Sequence, residues 1–578
     1  MLAWIPMSPL NRKLLRDIWH MRGQVLAIAL VIAAGVAVYV TVVGTLRSLE
    51  GTRDAYYERY RFADVFATVK RAPESLLQSM AQIPGVKWVE TRIVVEVSLD
   101  VEGMDEPAAG RLVSIPPRDR PLLNDVTLRA GRWITPGRPD EVLISEAFSD
   151  AHGFGPGDTL AATINGRRRT LEIVGIGLSP EYVYSIGGDN LMPDDRRFGV
   201  VWMGREPLEA AFDLEGAFNS VSIALLHNAR EAIVIDALDR LLDPYGGTGA
   251  YGRSEQLSDQ YLSSEMDGLD AMARVAPPIF LAIAAFLLNI VVTRLIAIER
   301  EQIGLLKAFG YSNLAVGWHY MKFVLLVSAL GIVGGLVGGA WMGRGMTAIY
   351  TEFFRFPFLY YSAPPGVYTF AALVATAATA LGALNAVRVA VRLPPAVAMA
   401  PAAPPVYRKS IFESFGLTVF AGEPTRMILR HLSRWPVRGG LAILGIAMAA
   451  AIMVAAMFSA DAFEKIIEVY FFQSQRQNLT VAFVEPQPVR IANEVRRLPG
   501  VIAAEPFRMV PVRLHFEHRS RRVGVTGIVD GADISRLIDM DLIPVEVPES
   551  GLVLSSRLAQ ILGAGRGDTL VVEVLEGR

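Results

Sequence analysis

VLAIALVIAAGVAVYVTVVGTL, residues 25–46, runs for 22 positions without a charged side chain. A hydrocarbon core of ~30 Å is crossed by about 20 helical residues, so this stretch reads as a membrane span. Four more runs share its character, at 275–298, 319–343, 366–387 and 439–460. Arg294 and Lys322 lie near span ends, where long basic side chains reach the interface. No Asp or Glu falls at mid-membrane depth, which argues against an ion-coupled carrier, and Asn289 and Asn385 read as interhelical hydrogen-bonding residues. The composition agrees: mean hydropathy is +0.34 and only 20% of residues are charged, which leaves too little polar surface for a soluble chain of 578 residues. With 56 basic against 58 acidic residues there is no excess of positive charge to neutralise a nucleic acid. The lack of cysteine removes disulfides, thiolate nucleophiles and Cys-based metal centres together.

Basic residues near the span ends set the orientation. Arg12, Lys13, Arg16 and Arg22 precede the first span, and Arg294, Arg300 and Lys307 flank the end of the second. Arg388, Arg392, Arg408, Lys409, Arg426, Arg430, Arg434 and Arg438 lie between the fourth and fifth. Residues 1–24, 299–318 and 388–438 are therefore expected on the cytoplasmic side, and 47–274, 344–365 and 461–578 outside. Leu10, Leu14 and Ile18 recur every four residues, with Arg12, Arg16 and Trp19 on other faces, as in a short helix lying in the inner interface. The first span is too long for a secretory core and no small-residue cleavage site follows it, so it reads as a retained anchor.

An internal repeat reorganises the rest. LLRDIWHMRGQ at 14–24 pairs with ILRHLSRWPVRGG at 428–440, and IPGV at 83–86 with LPGV at 498–501. EVLISEAF at 141–148 pairs with GLVLSSRLA at 551–559, and GPGDTL at 155–160 with GRGDTL at 565–570, all at an offset of about 410 to 416 residues. In the first copy Asn165 and Gly166 form a hairpin turn from which a strand returns, whereas the second copy stops at EGR, 576–578. If the copies are equal, the sequence is a fragment that ends within its second outward domain.

The outward region 47–274 reads as a split α+β domain with a β-rich insertion. A strand is expected at 63–69, a helix opened by Pro73 at 73–83, one long strand at 86–103, β structure from about 110 to 203, a strand at 219–226 and a helix stopped by Pro244 and Gly246. Turns are expected at Pro136-Gly137, Gly155-Pro156-Gly157 and Asn165-Gly166. Candidate chemistry is sparse. His515 and His518, three apart in an expected strand, point to opposite faces and cannot share a metal. Asp189, Asp194 and Asp195 read as a solvated loop rather than a cation site, and Gly153, Gly155 and Gly157 precede a strand instead of opening a helix, unlike a dinucleotide loop. The sequence contains no GxSxG, no HExxH and no Gly-Lys pair for a Walker A loop, so no metal, no catalytic residue and no ATP hydrolysis by this chain are expected.

IEREQIGLLKAFGYSN, 298–313, follows the second span, is helical by composition and ends at Gly310. The segment resembles the signature of FtsX/MacB-type ABC transporter permeases at Glu299, Arg300, Ile303, Gly304, Lys307, Ala308 and Gly310. It departs where Gln302 stands in place of the usual acid, and its Glu-Arg pair is one residue nearer to Ile-Gly. The order of one span, a large outward domain and three more spans is similar too, and the repeat resembles the two-repeat, ten-span branch. The resemblance implies a membrane α-helical protein with α+β MacB-like extracytoplasmic domains, one complete and one partial, in a bacterial inner membrane. It implies a coupling helix docking on a separate cytoplasmic ATPase, with Glu299, Arg300, Glu301, Gln302, Ile303, Gly304, Lys307, Phe309 and Gly310 as coupling residues, ATP and Mg on that partner, and in some relatives a periplasmic adaptor. Gly331, Gly335, Gly339 and Gly343, at intervals of four in the third span, permit close helix contact. The leading expectation is a permease coupling ATP hydrolysis to export or extraction of a substrate at the outer face. The alternative is a transmembrane scaffold controlling a cell-wall hydrolase, and a secondary transporter is disfavoured by the lack of intramembrane acids.

Overall fold

The computed structural model describes residues 8–116, 120–187, 193–359, 361–399, 422, 424, 427, 436–483 and 486–575. Asp189, most of the linker 388–438 with Arg408, Lys409, Arg426, Arg430 and Arg434, and the terminal 576–578 lie outside the described residues. The chain forms two compact units. One comprises the residues up to Ala55 with Leu262–Ala455, and the other Tyr56–Tyr261 with the residues from Ala456 onward.

The chain opens with α1 (Pro9–His20), begun by the Ser8 cap and a proline in the first turn. Met21 breaks it from α2 (Arg22–Arg59). A 38-residue helix is about 57 Å long, so α2 continues well past its apolar run. The strands and helices of the next 200 residues are β1 (Val65–Pro73), α3 (Leu76–Ala81), β2 (Val86–Arg92), β3 (Val94–Asp100), β4 (Ala108–Ile115), β5 (Thr127–Gly131), β6 (Glu141–Ser145), α4 (Glu146–His152), β7 (Thr159–Ile164), β8 (Arg167–Leu178), β9 (Phe198–Gly204), α5 (Arg205–Phe212), β10 (Ala217–Leu225), α6 (Glu231–Leu242) and β11 (Tyr251–Gly252). Then come α7 (Leu257–Ile298), α8 (Arg300–Ala308), α9 (Asn313–Phe354), α10 (Pro365–Arg392), α11 (Pro395–Met399) and α12 (Pro436–Glu468). The last described elements are α13 (Ile491–Val495), β12 (Arg508–Phe516), β13 (Arg519–Gly527), α14 (Ser556–Leu562) and β14 (Val571–Val574). Among the described residues five helices are long and apolar enough to cross a membrane: α2, α7, α9, α10 and the helical stretch Ile443–Ser474.

In the membrane unit, α9 lies on α2 along the glycine stripe. A Cβ built on Gly331 would fall 2.7 Å from the carbonyl oxygen of Ala29, one on Gly335 2.6 Å from the Val36 Cβ, and one on Gly339 2.8 Å from the Val40 Cβ. Only hydrogen fits at these three positions, and Thr41 donates across the seam to the Gly339 carbonyl at 3.2 Å. The fourth stripe residue, Gly343, meets the ring of Tyr361 instead, whereas Gly338 faces open space. Ile32, Val36, Val40, Leu288, Val292, Phe323, Val324 and Val327 are buried together around this seam.

In the second unit, four antiparallel strands in the order β11-β1-β10-β2 carry α3 and α6, whose Met80, Leu238 and Leu242 share one core with Val65, Ala67, Phe218, Val221 and Ile223. The inserted sheet runs β5-β8-β6-β9-β4-β3-β7, and β7 also pairs with β8, so the sheet returns on itself. Along β9, Phe198, Val200 and Trp202 enter one core and Val201 and Met203 the opposite one, as in a strand covered on both faces. These features match the α+β domain with a β-rich insertion. The expected single strand at 86–103 is divided at buried Ile93: β2 pairs with β10, and β3 with β4 and β7. Asn219 enforces the change of sheet by accepting from the Val94 N–H and donating to its carbonyl, both at 2.8 Å, while the Ser114 hydroxyl takes the Ile93 N–H. Alternation of apolar residues continues through the break and hides it. Pro73 does not open a helix but ends β1, and α3 begins at Leu76. His518 lies in the β12–β13 turn after Glu517 at φ +51°, not in the strand.

The paired segments of the repeat share local geometry. Ser145 and Ser555 precede α4 and α14, which end at Gly153 and Gly563 in the left-handed conformation. The Gly155 N–H donates to Asp158 Oδ2 and the Gly565 N–H to Asp568 Oδ2, each at 2.7 Å. Gly85 and Gly500, at φ +101° and +87°, occupy matching turns.

Two outcomes test this packing. Gly335→Leu should destabilise the chain by about 1–3 kcal/mol through overpacking, and Gly338→Leu by less than about 0.5 kcal/mol, as read from thermal unfolding in detergent. The Glu141 carboxyl is held down at about 2, chiefly by hydrogen bonds from the Arg132 guanidinium at 2.7 and 2.8 Å and also by the Thr135 N–H at 2.7 Å. A depressed carboxyl stabilises the fold above its ordinary value near 4.5 and loses that contribution as pH falls towards 2. Arg132→Met should therefore lower the denaturant midpoint at pH 7, and its gap from the parent should narrow below about pH 4.5 and vanish near pH 2.

Candidate coupling site

Helix α7 ends at Ile298, and α8 starts two residues later after a backbone turn at Glu299 with φ −88° and ψ 13°. Hydrogen bonding continues through the turn, since Glu299 N–H reaches the Leu295 carbonyl and Ile303 N–H the Glu299 carbonyl, each at 2.9 Å. The far end of α8 stops at Gly310, whose φ of +92° disfavours any side chain. The Tyr311 N–H closes back on the Leu306 carbonyl at 3.1 Å, and the Ser312 hydroxyl caps α9 by accepting from the Ala315 N–H at 3.2 Å. The result is a short helix held at both ends between two membrane spans.

The expected coupling residues divide into two faces. Ile303 is fully buried in the helix-bundle core, and a Cβ on Gly304 would fall 2.9 Å from Met399 and 3.0 Å from Ala398, so this face is closed by α11. Arg300 donates to the Val397 carbonyl at 2.5 Å on the same side. Lys307 turns to the end of α10, where its ammonium donates to the carbonyls of Ala390, Val391 and Leu393 at 3.2, 2.8 and 2.8 Å. Those are carbonyls of a helix C-terminus, where a cation is favoured. Burial pulls the Lys307 ammonium below its ordinary value. Glu299 is also buried, against α1 and α9.

Glu301, Gln302, Leu305 and Phe309 occupy the other face and are exposed, Phe309 by 76%. Leu314 and Trp318, in the first turns of α9, are exposed apolar residues as well. Sequence reasoning passed over Leu305. Its place one turn from Glu301 and Phe309 was the available signal. It also missed α11, whose trace in the sequence is the pair Pro394-Pro395 opening the apolar pentapeptide 395–399.

Elsewhere among the described residues the candidate groups do not gather into a metal site. Asp194 accepts from the Arg196 and Arg197 N–H groups and so shapes its own turn. His515 meets Glu573 at 2.9 Å, and His518 lies in the adjoining turn. Among the described residues no three His, Asp or Glu side chains are placed to hold a metal ion.

Comparison with known proteins follows the same division of the chain. Residues 25–240 match the family model of the MacB-like periplasmic core domain, and residues 274–395 that of the FtsX-like permease C-terminal domain. No curated protein matches the chain closely enough to count. Among solved structures, the extracellular domain of the noncanonic ABC-type transporter YknZ from Gram-positive bacteria is similar at 14% identity, over 31% of this chain and 92% of that one, with a TM-score of 0.23. The periplasmic region of MacB from Actinobacillus actinomycetemcomitans is similar at 11% identity, over 35% of this chain and 92% of that one, with a TM-score of 0.24. With its β-rich MacB-like domain followed by an FtsX-like span and α8 hairpin, the chain belongs to the FtsX/MacB-type permeases of ABC transporters.

Proposed function

We propose that this permease couples a separate cytoplasmic ATPase, docked on α8, to export or extraction of a substrate at the outer face of a bacterial inner membrane. The observation that carries the reading is the division of α8 into an anchored face and an exposed one. A helix whose buried side is fixed by Ile303, Gly304 and Lys307 cannot be displaced without displacing α7, α9 and α10. Its exposed side offers Leu305 and Phe309, 51% and 76% accessible, bracketed by the polar Glu301 and Gln302. An apolar centre with a polar rim is the composition of a protein contact. The basic residues near this hairpin and the N-terminus support a cytoplasmic side for both. ATP and Mg belong to the partner, which supplies the driving reaction, while the permease contributes the lever. The shared turns of the two outward domains support a two-repeat architecture.

Docking makes the two faces separable by mutation. Phe309→Asp and Leu305→Asp should each weaken ATPase binding by about 30-fold or more, the effect of losing about 2 kcal/mol at an interface centre, with the melting temperature of the chain unchanged. ATPase binding of undiminished affinity in the double variant, measured by co-purification and titration, would remove the reading. Lys307→Met acts from the other side: it should cost about 2 kcal/mol of stability by releasing α8 from the end of α10, visible as a lower melting temperature in the absence of any ATPase.

A further inference from the structure

Glu299 belongs to the family signature, yet it is only 6% exposed and does not share the open face of α8. One carboxylate oxygen receives the Lys13 ammonium from α1 at 2.5 Å, and the other receives the Tyr320 hydroxyl from α9 at 2.8 Å. Lys13 also holds Asp17 at 2.6 Å, and the side chains of Lys13 and Asp17 are 12% and 11% exposed. Helix α1, 286 residues away in sequence, and α9 therefore meet on one carboxylate, at the residue where α7 turns into α8. Burying charges is costly, and an apolar trio would hold the helices together at least as well. What a carboxylate adds is direction, because both donors must approach its oxygens along defined lines. One side of α1 is open, with Arg12, Leu15, Arg16 and Trp19 exposed, while Leu14 and Ile18 pack on the core and Lys322 donates to Asn11 at 3.4 Å, so the Lys13–Glu299 ion pair adds a directional anchor to a largely apolar seat. Only Met21 separates α1 from the first span, α2.

We infer that Glu299 is a positioning residue rather than an ATPase contact: it locks α1 to the root of the coupling helix, so that α1, and through Met21 the start of α2, follows any displacement of α8. The inference rests on the proposed role of α8 but is read independently of it.

The absence of cysteine allows two spin labels to be placed alone, at Arg16→Cys on α1 and Ala308→Cys on α8, both exposed positions. In lipid nanodiscs without ATPase, the parent should give one narrow distance distribution. Lys13→Met/Asp17→Asn/Glu299→Gln, which removes all three charges of the cluster without stranding any, should at least double its width, and Lys13→Arg, which keeps the ion pairs, should keep the parent width. A triple variant that is folded by its thermal melt and as narrow as the parent overturns the inference. In the complex, ADP–vanadate trapping should leave the parent distance unchanged, and a change of about 5 Å, one helical turn, overturns it as well. If the parent fails to retain an ATPase, the proposed function falls, while the narrow and broadened distributions still decide the role of Glu299.

Discussion

The close approach of α9 to α2 is the contact on which the membrane unit depends. In lipid there is no hydrophobic driving force between apolar helices, so they associate through dispersion at short range and through occasional hydrogen bonds. Gly331, Gly335 and Gly339 bring the backbone of α9 against the side chains of Ile32, Val36 and Val40, and Thr41 adds a buried hydrogen bond to the Gly339 carbonyl. Ser328, two turns before Gly335 on α9, bonds Thr379 of α10 at 2.6 Å, so α10 is set against the same helix. With α9 placed, α7 and α10 close the core around Leu288, Val292 and Phe323.

At one end of this bundle, the same economy shapes α8. α8 is too short to be stable alone, and its shape is imposed by neighbours: Ile303 in the core, Gly304 under α11, Lys307 on the end of α10, Glu299 between α1 and α9. Fixing so many groups on one side makes the other side a rigid presentation of Leu305 and Phe309. The signature residues are therefore mostly buried or tied to neighbouring helices, and those left exposed on the other face are the less distinctive ones.

Much of the fold was legible because it follows from one-dimensional rules. The five apolar runs, the Asn165-Gly166 hairpin, the helix stop at Gly246 and the turn of Gly155 to Asp158 are all set by neighbours in sequence, where solvent and backbone sterics act alone. The break at Ile93 was not legible. Residues on both sides of it alternate as a strand should, and the agent of the break is Asn219, 125 positions away from Val94. The role of Pro73 was misjudged for a related reason, since β1 is extended to it by pairing with Ala217 of β10 rather than by its own propensity.

The sequence by itself determined which segments cross the membrane, which side carries the basic residues, and that a short helix ending at Gly310 joins two spans. Those properties depend on composition, period and local backbone freedom. Only the tertiary structure decided which residues of that helix are available to a partner. Glu299, Arg300, Ile303, Gly304 and Lys307 are polar, charged, apolar and small in turn, and nothing local tells a buried carboxylate from an exposed one. Burial is a property of what lies opposite, and here Lys13, Tyr320, Ala398 and the carbonyls of α10 come from remote parts of the chain.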